Sequence, residues 1–462
     1  MSANGERLPG RAVTLTGWGR VEPSAAWLAD PASSAEAAAF VQSAASAAGR
    51  AGVIPRGLGR SYNNAAQSAG GLVLSTAWLN QIISLDPATG IAVCEAGTSL
   101  EQLMLAGLPH GWFVPVSPGT RQVTIGGVIA ADVHGKNHHV AGSFAGHVRD
   151  ISLLLPSGEL RTVTPGSDPR LFWATAGGMG LTGLITRATI QLTKVETSLL
   201  KVDTVRTADI DETMAVLAEH DTKHCYTVAW SDSTATGART GRSVITSGDF
   251  AAAGDLPASL RAEPLAFDPK PRLGAPNAFP VGVLNRYSVR IANEIWYRKA
   301  PKRRDSEIQS IGQFFHPLDG IRNWNRVYGP GGFRQYQYVL PSGEEASVRR
   351  SFEMISGLPA PSFVTVLKRF GAAGSGLLSF PRPGWTLACD FPARTPGLLP
   401  LLDQLDRLVT EHGGRVYLAK DSRVSRPTLE AMYPRLQEFR AVRSEIDPEG
   451  VFASDLSRRL DL

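Results

Sequence analysis

Three glycine-rich segments in the N-terminal part of the chain restrict its fold more than any other feature. The last, Gly178–Gly183, matches G-x-G-x-x-G. In a Rossmann dinucleotide-binding unit this pattern follows a strand and opens a helix. Here a short helix predicted from residue 168 comes first, and the predicted strand LITRATIQL follows. We therefore exclude a Rossmann domain, while a plain tight turn stays an alternative for this segment alone.

The other two segments suit an anionic group. In RGLGRS, residues 56–61, glycines at alternate positions let successive N–H groups form an anion nest, although a surface turn would also fit. In PGTRQVTIGGVIA, residues 118–130, two glycines open a helix of small residues whose first amides suit a pyrophosphate. Together the three loops predict a long phosphate and ring site for a dinucleotide.

The order of predicted elements favours an α+β protein with two or three domains, because 462 residues exceed one compact core. Ser33 and Glu36 suggest a cap for a helix over 33–48, and Asp86–Gly90 suggests a hairpin turn. The glycine motifs stop near residue 196. Residues 254–304 are proline-rich with little periodicity and end in five basic residues between 298 and 304, which predicts a mobile loop or lid.

Composition excludes several functional classes. A net charge of +5 is too small to indicate nucleic acid binding. Cys94, Cys225 and Cys389 are distant in sequence, so we expect neither a disulfide framework nor a zinc site. The chain contains no apolar run of membrane-spanning length and no signal-peptide core, so we expect a soluble or peripheral protein.

Two further motifs place polar side chains where a ligand could bind. HGKNHH, residues 134–139, lacks the carboxylate of a metal motif, so a polar lining for a bound ring is preferred to a metal site. Lys420 is predicted at the end of an apolar strand, either solvated or placed over a cofactor. Gln335 and Gln337 share one face of a predicted strand, which is either an ordinary two-faced strand or a wall that binds sugar hydroxyls.

These motifs, in this order, resemble the vanillyl-alcohol-oxidase (p-cresol-methylhydroxylase-type) family of FAD proteins. Within it, the chain resembles more closely the flavoproteins of actinobacterial ribose-to-arabinose epimerases. The resemblance rests on stretches that span nearly the whole chain, including RGLGRSY, VHGKNHHVAGSF, LFWATAGGMGLTG, GFRQYQYVLP, AKDSR and VFASDLSRRL. It implies a two-domain fold with an FAD-binding domain over 7–196, completed by 414–462. A substrate domain with an antiparallel sheet would span 197–413, with mobile loops near 254–304 and 318–332.

The resemblance also implies roles for individual residues. Lys420 and His134 would be catalytic and flank the flavin ring. The cofactor residues would be Arg56, Gly57, Leu58, Gly59, Arg60, Ser61, Tyr62, Gly119, Thr120, Thr124, Gly126, Gly127, Ala130, Ala131, Val133, His134, Gly180, Thr182, Gly183, Ile185 and Tyr417. The substrate residues would be Tyr62, Gln335, Gln337, Lys368, Thr386 and Lys420. Relatives often carry cysteine where this chain has Ala388 and asparagine where it has Thr386.

The implied reaction is oxidation of the 2′-hydroxyl of a polyprenylphosphoryl-β-D-ribose to the 2′-keto sugar, for cell-wall arabinan. An NAD(P)H-dependent reductase would complete the epimerisation, and the protein would work peripherally at the plasma membrane, on its cell-envelope side. Related proteins often attach FAD through a histidine where this chain has Arg60, so we expect non-covalent FAD. The alternatives are a soluble alditol or aldonolactone oxidase, and a flavin-binding partner protein without turnover.

Overall fold

The computed structural model describes residues 8–46, 52–271, 273–276 and 282–462. The strands are β1 (Arg11–Leu15), β2 (Ser24–Ala29), β3 (Val53–Arg56), β4 (Leu72–Ser75), β5 (Ile82–Leu85), β6 (Ile91–Glu95), β7 (Trp112–Phe113), β8 (Val148–Leu154), β9 (Leu160–Val163), β10 (Leu184–Gln191), β11 (Thr193–Lys194), β12 (Leu199–Thr207), β13 (Tyr226–Ser231), β14 (Ser243–Phe250), β15 (Leu273–Gly274), β16 (Arg303–Ser310), β17 (Ile321–Arg322), β18 (Phe333–Pro341), β19 (Thr365–Phe370), β20 (Gly384–Pro392) and β21 (Arg415–Val416). The helices are α1 (Ser34–Ser46), α2 (Leu100–Gly107), α3 (Ile125–Ala130), α4 (His138–Ala141), α5 (Pro169–Thr175), α6 (Ile210–His220), α7 (Arg286–Lys299), α8 (Ile311–Phe314), α9 (Glu345–Ser356), α10 (Leu398–Glu411), α11 (Arg426–Met432), α12 (Leu436–Ile446) and α13 (Asp455–Leu460).

Two sheets are built from the first part of the chain. The first has the order β1-β2-β4-β3, in which β4 pairs in parallel with both neighbours, and β4 is buried along its whole length. Ala37 and Val41 of α1 pack against Leu72 and Leu74 of this sheet. The second sheet, β5-β6-β10-β8-β9, is antiparallel throughout. The first glycine-rich loop follows β3 of the first sheet, and the third precedes β10 of the second.

An eight-stranded antiparallel sheet, β16-β12-β14-β13-β19-β20-β18-β21, follows. Its strands alternate buried and less buried positions, as expected for a sheet that packs on one face. Near one edge of the sheet, the pair β18 and β20 brings Gln335 opposite Asp390 and Gln337 opposite Ala388. This large antiparallel sheet, together with the helices, confirms the predicted α+β class.

The C-terminal tail packs against the first sheet. The Val53 N–H donates to the Val451 carbonyl at 2.7 Å, and the Ala453 N–H donates to the Val53 carbonyl at 2.9 Å. Asp455, at the start of α13, accepts hydrogen bonds from the Ser24 hydroxyl and the Ala69 N–H. Among the described residues, no helix is long and apolar enough to cross a bilayer.

The structure departs from the predicted elements in two places. The expectation of irregular structure through 254–304 is wrong for its second half, because α7 is a 14-residue helix capped by Asn285 and β16 follows it. The predicted strand before Lys420 is also shorter than expected, since β21 ends at Val416. Residues 47 and 48 of the predicted helix, residue 7 of the first predicted domain, and residues 272 and 277–281 of the predicted loop lie outside the described residues.

Candidate functional site

One cavity of about 320 Å³ joins the glycine-rich loops to the eight-stranded sheet. Its volume is in the range of small-molecule and cofactor sites, about 300–1,000 Å³. One wall comes from the loops after β3, before α3 and after α5. The opposite wall comes from β18, β19 and β20 and from the segment that follows β21. The cavity therefore has two chemically different walls, one of glycine-rich loops and one with polar side chains from the sheet.

The loop after β3 forms a nest of backbone donors. Gly59 has φ of +64°, a conformation that glycine adopts at little cost, and it bends the loop around the cavity. The N–H groups of residues 58–61 donate to no acceptor in the described protein. The Arg60 guanidinium carbon lies 3.8 Å above the Trp18 ring, which fixes a cation at the nest. Such a nest favours an anionic ligand.

The other two glycine-rich loops complete this wall with small residues. Thr124 caps α3 by accepting the Gly127 N–H at 3.3 Å. A Cβ on Gly119 would meet no atom within 4 Å, so the wall there is open. In the third loop, α5 ends before the glycines and β10 starts after them, the reverse of Rossmann order, as the sequence predicted.

The structure brings most of the predicted residues to this cavity. Those that line it are Gly57, Leu58, Gly59, Arg60, Ser61, Tyr62, Gly119, Thr120, Thr124, Gly126, Gly127, Ala130, Ala131, Val133, His134, Gly180, Gly183, Ile185, Gln335, Gln337, Lys368, Tyr417 and Lys420. They come from segments up to about 360 residues apart in sequence.

Three predicted residues do not line the cavity. The Arg56 guanidinium instead donates to the carbonyls of Thr16 at 2.8 Å and Ala66 at 3.0 Å, so it braces the loop from behind. Thr182 is buried and shares a hydrogen bond of 2.9 Å with the Thr175 hydroxyl. Thr386 lies behind Gln337, whose amide donates to its hydroxyl at 3.1 Å. Any effect of these three on a ligand is therefore indirect.

His134 occupies the junction of the two walls. Its Nε2 lies 3.1 Å from Gln337 Nε2, and its Nδ1 lies 3.4 Å from Lys368 Nζ. The ring also packs against Phe370 and Tyr417, with centroids 4.7 Å and 5.5 Å away. Burial, and then the charge of Lys368, lowers the pKa of His134 well below its ordinary value. The imidazole is thus held neutral, and the bonds around it fix its orientation.

The other histidines of the HGKNHH segment point to separate neighbours. His138 Nδ1 accepts the Gly371 N–H at 3.2 Å. His139 Nε2 lies 2.9 Å from the His224 carbonyl. Lys136 donates to the Phe314 carbonyl at 2.5 Å, and burial lowers its pKa to about 7. The segment therefore joins the cavity to the eight-stranded sheet, and only its first histidine lines the cavity.

Lys420 is positioned by contacts from both walls. Its N–H donates to the Tyr417 carbonyl at 2.9 Å, which closes a turn after β21. The Tyr62 N–H donates to the Ala419 carbonyl at 3.0 Å, so the first glycine loop binds the same turn. The Lys420 ammonium nitrogen then lies 3.7 Å from the centroid of the Tyr62 ring. The lysine is thus fixed by this turn and not by a strand end.

Asp390 is a site residue that the sequence interpretation missed. It is buried, it lines the cavity, and its carboxylate accepts a hydrogen bond from Gln335 Nε2. Burial raises the pKa of Asp390, while burial lowers the pKa of Lys420; each charge opposes the shift of the other. The two groups therefore interact electrostatically, and the charge of each favours the charged form of the other. A carboxylate inside the apolar strand sequence GWTLACDFP was the available signal.

Lys368 adds a second amine to this end of the cavity. It lies on β19 opposite Thr386 of β20. Burial lowers its pKa to about 8. Together with Arg60 and Lys420 it gives the cavity more cationic than anionic side chains, which favours an anionic ligand.

These features fit a flavin dinucleotide. The free N–H groups of residues 58–61 and the open wall at Gly119 suit a pyrophosphate. The Arg60 Nε and Thr76 Oγ1 atoms are buried without a partner in the described protein, although both residues line the cavity. Buried polar atoms are normally paired, so a ligand that pairs these two is expected. Small residues between the loops leave room for a flat ring.

Comparisons with known proteins agree with this geometry. Residues 25–164 match the FAD binding domain family, and residues 393–460 match the D-arabinono-1,4-lactone oxidase family. The first match covers two of the glycine-rich loops. The chain therefore contains an FAD-binding domain.

Individual relatives extend the match to nearly the whole chain. Decaprenylphosphoryl-beta-D-ribose oxidase of Mycolicibacterium smegmatis is 46% identical over 97% of this chain and 97% of its own length. An uncharacterized protein of Streptomyces coelicolor is 42% identical over 79% of this chain and all of its own length. D-lactate dehydrogenase of Archaeoglobus fulgidus is 32% identical, but over only 26% of this chain and 28% of its own. By its similarity to the first relative, this chain belongs to the decaprenylphosphoryl-β-D-ribose oxidase family.

Proposed function

We propose that this protein is an FAD-dependent oxidoreductase that oxidises the 2′-hydroxyl of a polyprenylphosphoryl-β-D-ribose to the 2′-keto sugar. Identity of 46% to a decaprenylphosphoryl-beta-D-ribose oxidase, over 97% of both chains, supports this substrate class. The observation that carries the proposal is the cavity itself. A donor nest for a dinucleotide and a sugar-sized polar wall with Lys420, Lys368, Gln335 and Gln337 share one space.

Lys420 is the residue that we assign to the substrate hydroxyl. Its nitrogen is held over Tyr62 and near Asp390, so it cannot swing freely into solvent. Because burial lowers its pKa, a neutral amine is accessible near neutral pH and can accept the hydroxyl proton at Nζ. The flavin, when bound, supplies the hydride acceptor for the carbinol carbon. The charge of Asp390 then stabilises the resulting ammonium.

The remaining polar groups orient the sugar and its phosphate. Gln335 gives its amide N–H to Asp390, which leaves its carbonyl oxygen to accept from a sugar hydroxyl. Gln337 is held between His134 and Thr386 and presents its amide in a fixed direction. Lys368 is suited to pair with the phosphate, and that anion would stabilise the ammonium form that burial disfavours. His134 and Tyr417 would flank the flavin ring.

We also propose that FAD is held without a covalent bond. Arg60 stands where related proteins carry the linking histidine, and its guanidinium is fixed above Trp18. Cys389 is buried and absent from the cavity lining, and Cys225 is exposed at the surface. Precipitating the yellow protein with acid should release all of the flavin into the supernatant, whereas a yellow pellet would refute this proposal.

Partners, location and domain limits stay proposals of the same kind. We propose that an NAD(P)H-dependent reductase receives the keto sugar, and that the protein works peripherally at the plasma membrane on the cell-envelope side. The domain limits, 7–196 with 414–462 and 197–413, are supported by the sheets, since β1–β10 and the tail pack together. However, β21 at Arg415–Val416 belongs to the eight-stranded sheet, so the chain re-enters the first domain after it.

Anaerobic mixing with a prenylphosphoribose tests the function. Bleaching of the flavin absorbance within the first turnover supports the proposed reaction.

The match of residues 393–460 to D-arabinono-1,4-lactone oxidase makes an aldonolactone or alditol oxidase the second candidate. That candidate predicts bleaching by a free lactone or alditol instead. Bleaching by neither substrate would indicate a flavin-binding protein without this activity.

A further inference from the structure

Helix α7 carries an apolar stripe on its outer face. Tyr287, Ile291 and Ile295 are spaced four residues apart, so they lie on one side of the helix. Their exposed fractions are 79%, 61% and 63%. The buried side of the same helix carries Val289 and Asn293. A surface helix normally places polar side chains outward, so this stripe requires an explanation.

The contacts of the inner face fix this orientation. Asn293 Nδ2 donates to Asp232 Oδ1 at 2.7 Å. Arg242 donates to Asp232 Oδ2 and to Glu294 Oε2, at 2.6 Å and 2.7 Å. The Tyr297 hydroxyl donates to the Thr207 carbonyl at 3.0 Å. Because these buried polar groups pair inward, rotating the helix to hide its isoleucines would leave charges without partners.

The helix lies beside the candidate site. Leu284, which precedes its N-cap, packs against an aromatic cluster that includes Trp324, a residue of the cavity lining. Near the other end, the Trp296 ring lies 6.4 Å from the Trp230 ring. Trp230 pairs across the sheet with Val366, which also lines the cavity. Both ends of α7 are therefore connected to the cavity walls.

The charge around the stripe is positive. Arg286, Arg290, Arg298 and Lys299 are all exposed on α7. Glu294 is the one acidic residue of this helix, and it is already bound to Arg242 and Arg298. In contrast, Arg303 and Arg304 of the predicted basic cluster pair with Asp305 and Glu307. Because Arg298 is paired with Glu294, the unpaired positive charge of α7 within the described chain lies on Arg286, Arg290 and Lys299.

We propose that the outer face of α7 docks on an anionic bilayer surface and brings the cavity to its lipid-linked substrate. Isoleucines and a tyrosine flanked by arginine and lysine form the pattern of an interfacial helix. Anionic headgroups complement the flanking cations, and the apolar stripe inserts at the acyl boundary. The inference rests on the proposed function in one respect: a substrate whose prenyl chain stays in the membrane requires its enzyme to reach that membrane.

Vesicle flotation with the FAD-loaded full chain tests this docking. Vesicles of phosphatidylcholine and phosphatidylglycerol in equal amounts are compared with pure phosphatidylcholine, in the absence of substrate. We expect binding to the anionic vesicles that weakens in high salt. The Ile291→Glu/Ile295→Glu variant should lose about tenfold or more in affinity, because each isoleucine contributes apolar burial. The matched control is Leu105→Glu, which changes an exposed leucine of α2. This variant should bind the anionic vesicles as the wild type does.

The remaining outcomes separate docking from the proposed function. Equal vesicle binding by the double variant, or no binding by the wild type, overturns the proposal. In a third outcome the wild type forms a dimer and binds no vesicles, while the double variant is a monomer. That result would assign the stripe to a second copy of the chain, and it also overturns the proposal. A short-chain, water-soluble prenylphosphoribose should reduce the flavin of both proteins equally. If it reduces neither while vesicles still bind, the proposed function fails and the docking stands.

Discussion

The ammonium nitrogen of Lys420 lies 3.7 Å from the centroid of the Tyr62 ring, although 358 residues separate them along the chain. The contact joins the first glycine-rich loop to the turn after β21, and the hydrogen bond from Tyr62 N–H to the Ala419 carbonyl reinforces it. The loop proposed to hold FAD and the lysine proposed to act on the substrate therefore share one support. Replacing Lys420 is nevertheless expected to remove proton transfer without removing flavin binding, because the turn itself is held by backbone hydrogen bonds.

Replacing this lysine should remove the chemistry and keep the cofactor. We expect Lys420→Ala to bind FAD and to melt near the wild-type temperature, because the turn is held by backbone hydrogen bonds. Flavin reduction by a prenylphosphoribose should slow by about 10²–10⁴-fold, the usual contribution of a positioned base. Anaerobic stopped-flow absorbance measures the rate. Lys223→Ala, at an exposed lysine of the surface, is the control, and a wild-type rate in Lys420→Ala would remove the assigned role.

Asp390 should set the pH at which Lys420 becomes active. The Asp390 charge raises the pKa of Lys420 against the lowering by burial. In Asp390→Asn that opposing charge is gone, so the lysine pKa should fall and the neutral amine should persist to lower pH. The acidic limb of the kcat/KM profile for flavin reduction is therefore expected to move to lower pH.

A buried carboxylate elsewhere provides the control for that shift. Asp406 is also buried, and its pKa is raised by burial to about 6, but it bonds Tyr336 and Arg423 away from the cavity. Asp406→Asn should leave the acidic limb in place. A limb that stays fixed in Asp390→Asn, or moves to higher pH, would show that the Asp390 charge does not raise the pKa of Lys420.

A side chain at position 57 should weaken FAD binding because Gly57 lies close to α3. A Cβ on Gly57 would lie 2.2 Å from Thr124 Oγ1, the hydroxyl that caps this helix. Gly57→Ala must displace that hydroxyl, at a cost of about 0.5–2 kcal/mol for a lost cap, and it narrows the space between two glycine loops. We expect weaker FAD binding by fluorescence titration. Gly146→Ala, where a Cβ meets no atom within 4 Å, should bind FAD normally.

Local patterns were sufficient to predict much of the first part of the chain. The cap formed by Ser33 and Glu36, the Asp86–Gly90 turn and the helix-first order around Gly178–Gly183 are all found in the structure. These features depend on hydrogen bonds between near neighbours. Helix α7 was missed because its pattern is inverted: Asn293 faces inward to a buried carboxylate, while Ile291 and Ile295 face outward. Periodicity rules assume the opposite arrangement.

The site was predictable only where a motif marks it. Alternation along β20 predicts that Ala388 and Cys389 face opposite sides, yet the same rule places Asp390 on the side of Ala388. Its interaction with Lys420 depends on the turn after β21. The sequence there predicts a strand, so the turn could not be predicted from it. The side-chain direction of Arg56 was likewise not predictable, because its partners Thr16 and Ala66 are brought close only by tertiary packing.

The buried ion pair beneath α7 should contribute strongly to stability. Arg242 and Asp232 are both buried, and two of the Arg242 nitrogens bond Asp232 Oδ2, at 2.9 Å and 2.6 Å. Arg242→Ala leaves the carboxylate without this partner, and we expect a loss of about 3–5 kcal/mol in unfolding free energy by urea denaturation. Arg303→Ala breaks an exposed pair with Asp305 and should cost about 0–1 kcal/mol. Equal losses in the two variants would contradict the burial of the first pair.

The cavity should be free of reactive thiols until one is introduced on β20. Cys389 is buried behind the strand, and burial raises the pKa of its thiol to about 12, so little thiolate forms near neutral pH. Cys225 is exposed and would react with any reagent, so the experiment uses a Cys225→Ser background. In that background a maleimide should leave the folded protein unlabelled, as judged by intact mass.

Ala388→Cys places a thiol in the cavity lining and should add a single label. Bound substrate should slow this labelling. A label mapped to Cys389 in the native protein would show that β20 turns its thiol toward the cavity, and it would also reverse the side assigned to Asp390.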